Sequence, residues 1–273
     1  MSGAAVVTMM GTDLRVLARR LWIQLTTLAG LVFLAIIALI AAGDSGQAQI
    51  DAVESNGASL LLIGGLAVAI GLGAGAFSRD ASSGYLGLLV GSGATPSRVG
   101  AIRITARIVA LIAIFAIWGV AMQLVSLGIG RGFDGALAVH TLASLENAWL
   151  VLCASAALAS IIGPIAAGVF GIMVFISAQA IVNLKADLDQ GAIARTSQSY
   201  IDPVYSVVPR AIVSPMVATL QHRSDAGPAA PTIDINGLTV FVPASRLIDV
   251  LWTLLWTLIF ASLATYGVRR RQL

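Results

Sequence analysis

An all-α integral membrane fold with six spanning helices is what this sequence predicts, on three observations. Of its 273 residues 58% are hydrophobic and 11% charged, with a mean hydropathy of +0.93, whereas soluble domains carry about 25% charged residues. The apolar residues gather into blocks of about 20, the length a helix needs to cross a bilayer. The charges fall between these blocks, with arginine-rich connections alternating with arginine-poor ones. Too few charged groups remain to cover a soluble surface.

Residues 1–21 read as an interfacial amphipathic helix, because Leu14, Leu17 and Leu21 recur at helical spacing while Arg15, Arg19 and Arg20 take the other side. These arginines resemble the charged start of a signal peptide, but the apolar block Trp22–Ala42 is too long for a signal core and more spans follow it. It is assigned as span one. Gly43–Gly57 carries Asp44, Asp51 and Glu54 with no Lys or Arg, and reads as an outer polar loop. Span two is placed at Ala58–Phe77 and span three at Ile104–Gly128, and the arginines of the connection between them face it to the cytoplasm. The stretch with Arg131, Asp134, His140 and Glu146 returns to the outer side.

Spans four and five, Leu142–Ile161 and Pro164–Leu184, are separated by Gly163-Pro164, which breaks a helix and permits a tight hairpin. Residues 185–245 mix charges, prolines and short apolar runs, too polar for an ordinary span. Within them Tyr205–Leu220 is expected to re-enter the outer leaflet as broken helices. Leu247–Val268 is span six, and Arg269, Arg270 and Arg271 hold the tail on the cytoplasmic side. The chain is thus one transmembrane domain: an interfacial helix at 1–21, five spans at 22–184, an outer and re-entrant segment at 185–245, and the last span and tail at 246–273. Trp22 and Tyr266 mark the inner boundary and Trp149 and Trp252 the outer one, while Trp118 and Trp256 lie deeper as packing residues.

The formal charge of +3 comes with no basic stripe, so nucleic acid is not an expected partner. The single Cys153 rules out an intrachain disulfide or a cysteine metal site and reads as a small buried side chain. His140 and His222 are expected to be solvated loop residues without metal partners. Gly130-Arg-Gly132-Phe-Asp-Gly135 matches a dinucleotide pattern but follows no strand, and reads as a flexible loop. Neither a Walker A pattern nor a G-x-S-x-G elbow occurs, so no catalytic residue, cofactor or metal ligand is assigned to this chain. Gly71 and Gly75 have the small-xxx-small spacing of close helix contacts. Gln123 in span three, Gln179 and Asn183 on one face of span five, and Asp249 in span six are the polar groups for helix packing or a translocation path. Asp249 is expected to pair with Arg246 or to line an exit path.

The connection after span two reads Ser78-Arg-Asp-Ala-Ser-Ser-Gly84-Tyr-Leu-Gly-Leu-Leu-Val-Gly-Ser-Gly-Ala-Thr-Pro96-Ser-Arg98, with Arg103 a little further on. It resembles the loop between the second and third spans of permease subunits of the ATP-binding-cassette type-2 exporter family. Asp80 stands near that family's acidic position, Gly84 matches its glycine, Leu86, Leu88 and Leu89 supply the leucine-rich turn, and Pro96, Ser97 and Arg98 match the following step. Arg103 stands where lysine is usual, Tyr85 replaces threonine, and the acidic residue is Asp instead of Glu. The resemblance implies a coupling loop that docks two copies of a separate cytoplasmic ATPase, which bind ATP and Mg, a second permease subunit, and export across the cell (inner or plasma) membrane with both termini cytoplasmic. Two other readings remain: a secondary transporter, opposed by the lack of charge in spans one, two and the centre of three, and an assembly or anchoring factor without transport.

Overall fold

The structure is a computed structural model and describes residues 3–43, 46–77, 95–191, 193–216 and 244–270. Helix α1 (Gly3–Ala18) turns at Arg19-Arg20 into α2 (Leu21–Ala41). Helix α3 (Gln47–Ser59) passes through a π-helical segment, Leu60–Gly64, into α4 (Gly65–Ala74). Helix α5 (Pro96–Gly128) opens on a proline, which lacks the N–H that a first helical turn leaves unused. Helix α6 (Gly135–Ala159) is capped by Asp134, whose Oδ1 accepts from the N–H groups of Ala136 and Leu137 at 2.9 and 3.2 Å. Helices α7 (Pro164–Asp189), α8 (Gln198–Val207) and α9 (Leu247–Arg270) complete the set. Six stretches are long and apolar enough to cross a membrane: α2, the α3–α4 run from Ala52, α5, α6, α7 and α9. The all-helical, six-span expectation is met, with no strand among the described residues.

Three boundaries differ from expectation, each for a physical reason. Gly43–Gly57 is not simply a loop, because α3 begins at Gln47 and turns Val53 and Glu54 inward. Its polar character reflects pairing, since the buried Glu54 carboxylate meets Arg131. Span three begins at Pro96 instead of Ile104, so Arg103 and Arg107 lie buried within the helix. Span four begins at Gly135, so His140 and Glu146 sit inside a helix, where the sequence reading put an outer connection.

Helix α6 is the axis of the bundle: 83% of its spanning window is buried, against 22 to 50% for the other five. Its small residues let neighbours approach closely. Gly73 of α4 lies against the Leu152 backbone and Ser155, Gly171 of α7 against Ser155, and Gly267 of α9 against Ser160. Within span two, Gly73 meets backbone of α6, whereas Gly71 packs against the Trp22 ring of α2. Trp118 of α5 wedges between Gly30 of α2 and Gly64 of the π segment, is 1% exposed, and donates from Nε1 to the Thr27 carbonyl at 3.2 Å. Cys153 is fully buried, as expected. The outer faces of α2, α5, α7 and α9 present large apolar side chains such as Leu39, Leu124, Ile165 and Leu258 to the surroundings, as a lipid-facing surface requires.

One end of the bundle carries α1, packed on α5. There Arg107 caps span two: its Nε donates to the Leu72 carbonyl at 3.2 Å and its Nη2 to that of Ala76 at 2.8 Å, carbonyls with no partner left in their own helix. The other end carries α3, the Ile129–Asp134 turn and α8.

Candidate functional site

At the end opposite α1, the chain after α8 does something helices cannot do. Pro209 has no N–H and forces its predecessor into an extended conformation, and Val208 accordingly has φ −77° and ψ 148°. Residues 209–214 then run non-helically, with Ala211, Ile212, Val213 and Ser214 buried between α6, α7 and α9. Irregular backbone at such depth is tolerated only where protein satisfies its polar groups, and this strap is satisfied almost residue by residue.

Asn147 of α6 does the most. Its Oδ1 accepts from the Ile212 N–H at 2.8 Å and its Nδ2 donates to the Ile212 carbonyl at 2.9 Å, replacing a strand partner. The Ala211 N–H donates to the Ala178 carbonyl of α7 at 3.3 Å. The Val213 N–H donates to Ser245 Oγ, and the Ser245 N–H returns to the Val213 carbonyl, both at 2.9 Å. From α9, Thr253 Oγ1 donates to the Arg210 carbonyl at 2.6 Å and Trp252 Nε1 to the Val208 carbonyl at 3.0 Å.

Ionic and aromatic groups lock the strap's two ends. Arg210 pairs with Asp249 at 2.6 Å, donates from Nε to the Tyr205 carbonyl at 3.2 Å, and stacks 3.9 Å from the Tyr205 ring centre and 5.8 Å from that of Trp252. The Tyr205 hydroxyl donates to Asp249 at 3.1 Å, and burial, followed by the neighbouring Asp249 charge, pushes the phenol's pKa up. At the other end Ser214 Oγ lies 2.8 Å from His140 Nδ1, while His140 Nε2 lies 3.2 Å from Ser144 Oγ and 3.3 Å from the Ala58 carbonyl. Outside the strap, Lys185 and Gln198 reach Asp202 at 3.0 and 2.9 Å and hold its carboxyl below the usual carboxylate range.

Asp249 thus pairs with Arg210; from Arg246 it takes only the backbone N–H, at 2.9 Å. Gln179 donates to Asn183 at 3.0 Å, one turn along the helix that holds Ala211. Gln123 stands apart: it donates to the Asp134 carbonyl at 2.8 Å and accepts from the Asp134 N–H at 3.0 Å, fixing the turn into α6 where Arg131 joins Glu54 and Asp134. Pro96, Ser97 and Arg98 open α5, with Ser97 and Arg98 exposed. Asp80, Gly84, Leu86, Leu88, Leu89 and His222 lie outside the described residues. His140 is buried in α6, which corrects the expectation of a solvated loop histidine: a helix face that meets the strap needs a polar group there. His140, Asn147, Arg210, Ser214 and Thr253 were not among the sequence candidates, and only the Pro209-Arg210 step within an apolar run hinted at them.

The His140–Ser214 contact has the look of a hydrolytic pair, yet the far side of the ring meets a hydroxyl and a carbonyl and no carboxylate orients it. Among the described residues no group of three His, Cys, Asp or Glu could hold a metal. Glu146 is 8% exposed, and its Oε1 has no hydrogen-bond partner among the described residues. The arrangement can clamp three spans together through one short segment. No family model, curated protein or solved structure matches the chain.

Proposed function

We propose that this chain is the membrane permease subunit of an ATP-driven transporter, an exporter in which two permease subunits work with two copies of a separate ATPase that binds ATP and Mg. In this reading the protein lies in the cell membrane with both termini cytoplasmic and does no chemistry of its own. The observation that carries it is the buried strap, a non-helical segment clamped between α6, α7 and α9 at the end of the bundle away from Pro96-Ser97-Arg98. In this reading the strap is the element that ties the movements of α6, α7 and α9 to one another, since each of these helices bonds to it. Helix α5 joins the two ends: its 33 residues, Pro96–Gly128, span about 50 Å at the usual rise, with Gln123 near the far end. The residues that meet the ATPase in this reading are Asp80, Gly84, Leu86, Leu88 and Leu89, which lie outside the described residues.

A second reading, a secondary transporter driven by an ion gradient, draws support from the buried ionisable groups His140, Glu146 and Asp249, since such groups within spans mark ion and proton paths. One experiment separates the two. Inverted vesicles holding the chain with its genomic neighbours should accumulate substrate with ATP, and Leu88→Asp/Leu89→Asp should abolish uptake and ATPase co-purification while insertion persists. Uptake driven by a proton gradient without ATP would favour the second reading, and absence of both would leave an assembly factor.

A further inference from the structure

We infer that Glu146, about 16 Å along α6 from Gly135, is a reversible proton-binding site inside the bundle. The sequence has two glutamates, Glu54 and Glu146, and the fold treats them oppositely. Both are buried, 6% and 8% exposed. Glu54 meets Arg131, whereas Glu146 has no ion pair, and its Oε1 is enclosed without a hydrogen-bond partner, among the described residues. The other buried ionisable groups at this end are engaged: His140 with Ser214 and Ser144, Asp249 with Arg210 and Tyr205.

The elements packed on α6 bring it no counter-charge. Helix α4 and the π segment contain no charged residue, and α5 has none between Arg107 and Gly128. Arg98, Arg103 and Arg107 of α5 and Arg269 of α9 stand at the α1 end. Helix α7 carries Lys185, Asp187 and Asp189 in its last turns, and Lys185 is held by Asp189 and Asp202. Arg210 of the strap is held by Asp249 of α9. Helix α3 carries Asp51 and Glu54, and Arg131 joins Glu54 to Asp134. Arg195 and Arg246 are exposed. The indole N–H of Trp149, three residues on and on the same flank of α6, is without a partner as well and does not reach the carboxyl. A carboxylate enclosed in this way is far costlier than the neutral acid. A metal ion would need several oxygen ligands, and among the described residues no group of three His, Cys, Asp or Glu offers them; a proton needs neither room nor further ligands. The inference holds for an ATP-driven exporter and for an ion-driven transporter alike, so its failure would leave both readings standing.

Infrared spectroscopy of the full chain, made by cell-free synthesis with carboxyl-labelled heavy-isotope glutamate and held in lipid nanodiscs, tests it. With two glutamates in the sequence, one isotope-shifted acid carbonyl band and one isotope-shifted carboxylate band are expected at neutral pH. The acid band should convert to carboxylate in alkaline medium and return on neutralisation. It should be lost in Glu146→Gln, with the carboxylate band of Glu54 retained. A second measurement needs no variant. Dicyclohexylcarbodiimide, which partitions into lipid and reacts with protonated carboxyls, should leave an N-acylurea on Glu146: the carboxyl O–H adds across a C=N bond, and the acyl group then moves to nitrogen. Two carboxylate bands at neutral pH, an acid band kept by Glu146→Gln, an acid band that persists in alkali until the chain unfolds, or no adduct at Glu146 would each overturn the proton site.

Discussion

Arg210 and Asp249 lie 39 residues apart in sequence and only 2.6 Å apart in the structure, with side chains 12% exposed each. At such burial the pair is worth less than the damage done by breaking it. Arg210→Met strands the Asp249 carboxylate beside Tyr205 and should cost about 3–5 kcal/mol, while Arg210→Met/Asp249→Leu should restore most of that loss. Denaturant titration in detergent micelles measures both, and additive losses would refute the coupling. The exposed Asp202 gives a pH signature of opposite origin. Lys185 and Gln198 depress its folded pKa, so its contribution is complete above the ordinary value near about 4 and fades as pH falls below it. Lys185→Met should reduce that acid sensitivity in thermal unfolding between pH 6 and roughly 3. Asp249 was legible in the sequence as a carboxylate at the head of an apolar span. Its partner was not, because Arg246 stands three positions away while the true partner arrives by way of a fold-back that no periodicity encodes.

At the scale of elements, the strap and the close helix contacts carry separate expectations. The N–H groups of Ala211, Ile212 and Val213 all bond to groups outside their own segment, so they should exchange with deuterium far more slowly than those of the exposed 198–200 turn. Asn147→Leu removes both bonds to Ile212 and leaves a buried donor and acceptor unsatisfied, at about 1–3 kcal/mol each. Exchange at 211–213 should then accelerate with α6 still helical, and unchanged protection would show that the strap is held by packing alone. Gly73 faces the Leu152 backbone, which cannot swing aside as a side chain can. Gly73→Leu should therefore destabilise by about 1–3 kcal/mol through overpacking, whereas the same change at the half-buried Gly163, where an added Cβ meets nothing within 4 Å, should disturb packing little. The prolines announced that residues 205–216 could not form one helix, and the apolar runs announced their burial. Which side chains would serve the stranded backbone was not readable, since Asn147 and Thr253 look like ordinary members of their helices. The π segment at Leu60–Gly64 left no trace either, because Leu-Leu-Leu-Ile-Gly suits an α-helix equally well and it is Trp118, pressed on Gly64, that distinguishes the site.

For the whole molecule, alternation of six spans sets the two ends of the bundle on opposite sides of the membrane. In a Cys153→Ala background, Ser97→Cys and Ser199→Cys, both at exposed positions, should be labelled by an impermeant maleimide from opposite faces, with Ser97 reached only after permeabilisation. Labelling of both from one face would dismantle the architecture. The spans were legible because lipid imposes one rule along the whole chain, apolar length without charge. That rule failed where protein replaced lipid as the neighbour: Arg103, Glu54 and His140 are buried against partners supplied by other segments of the chain, so their polarity misdirected the boundaries. The central helix shows the same exchange most fully, with consequences for biogenesis. Helix α6 has the lowest mean hydropathy of the six spans, 1.5, and carries Asn147, Glu146 and His140. A translocon that partitions helices one by one releases such a segment into lipid least readily. Helix α4, made before it, covers one side, but Asn147 bonds to Ile212 of the strap, which is made later, so nascent chains that stop short of the strap should hold this polar helix less firmly in the membrane.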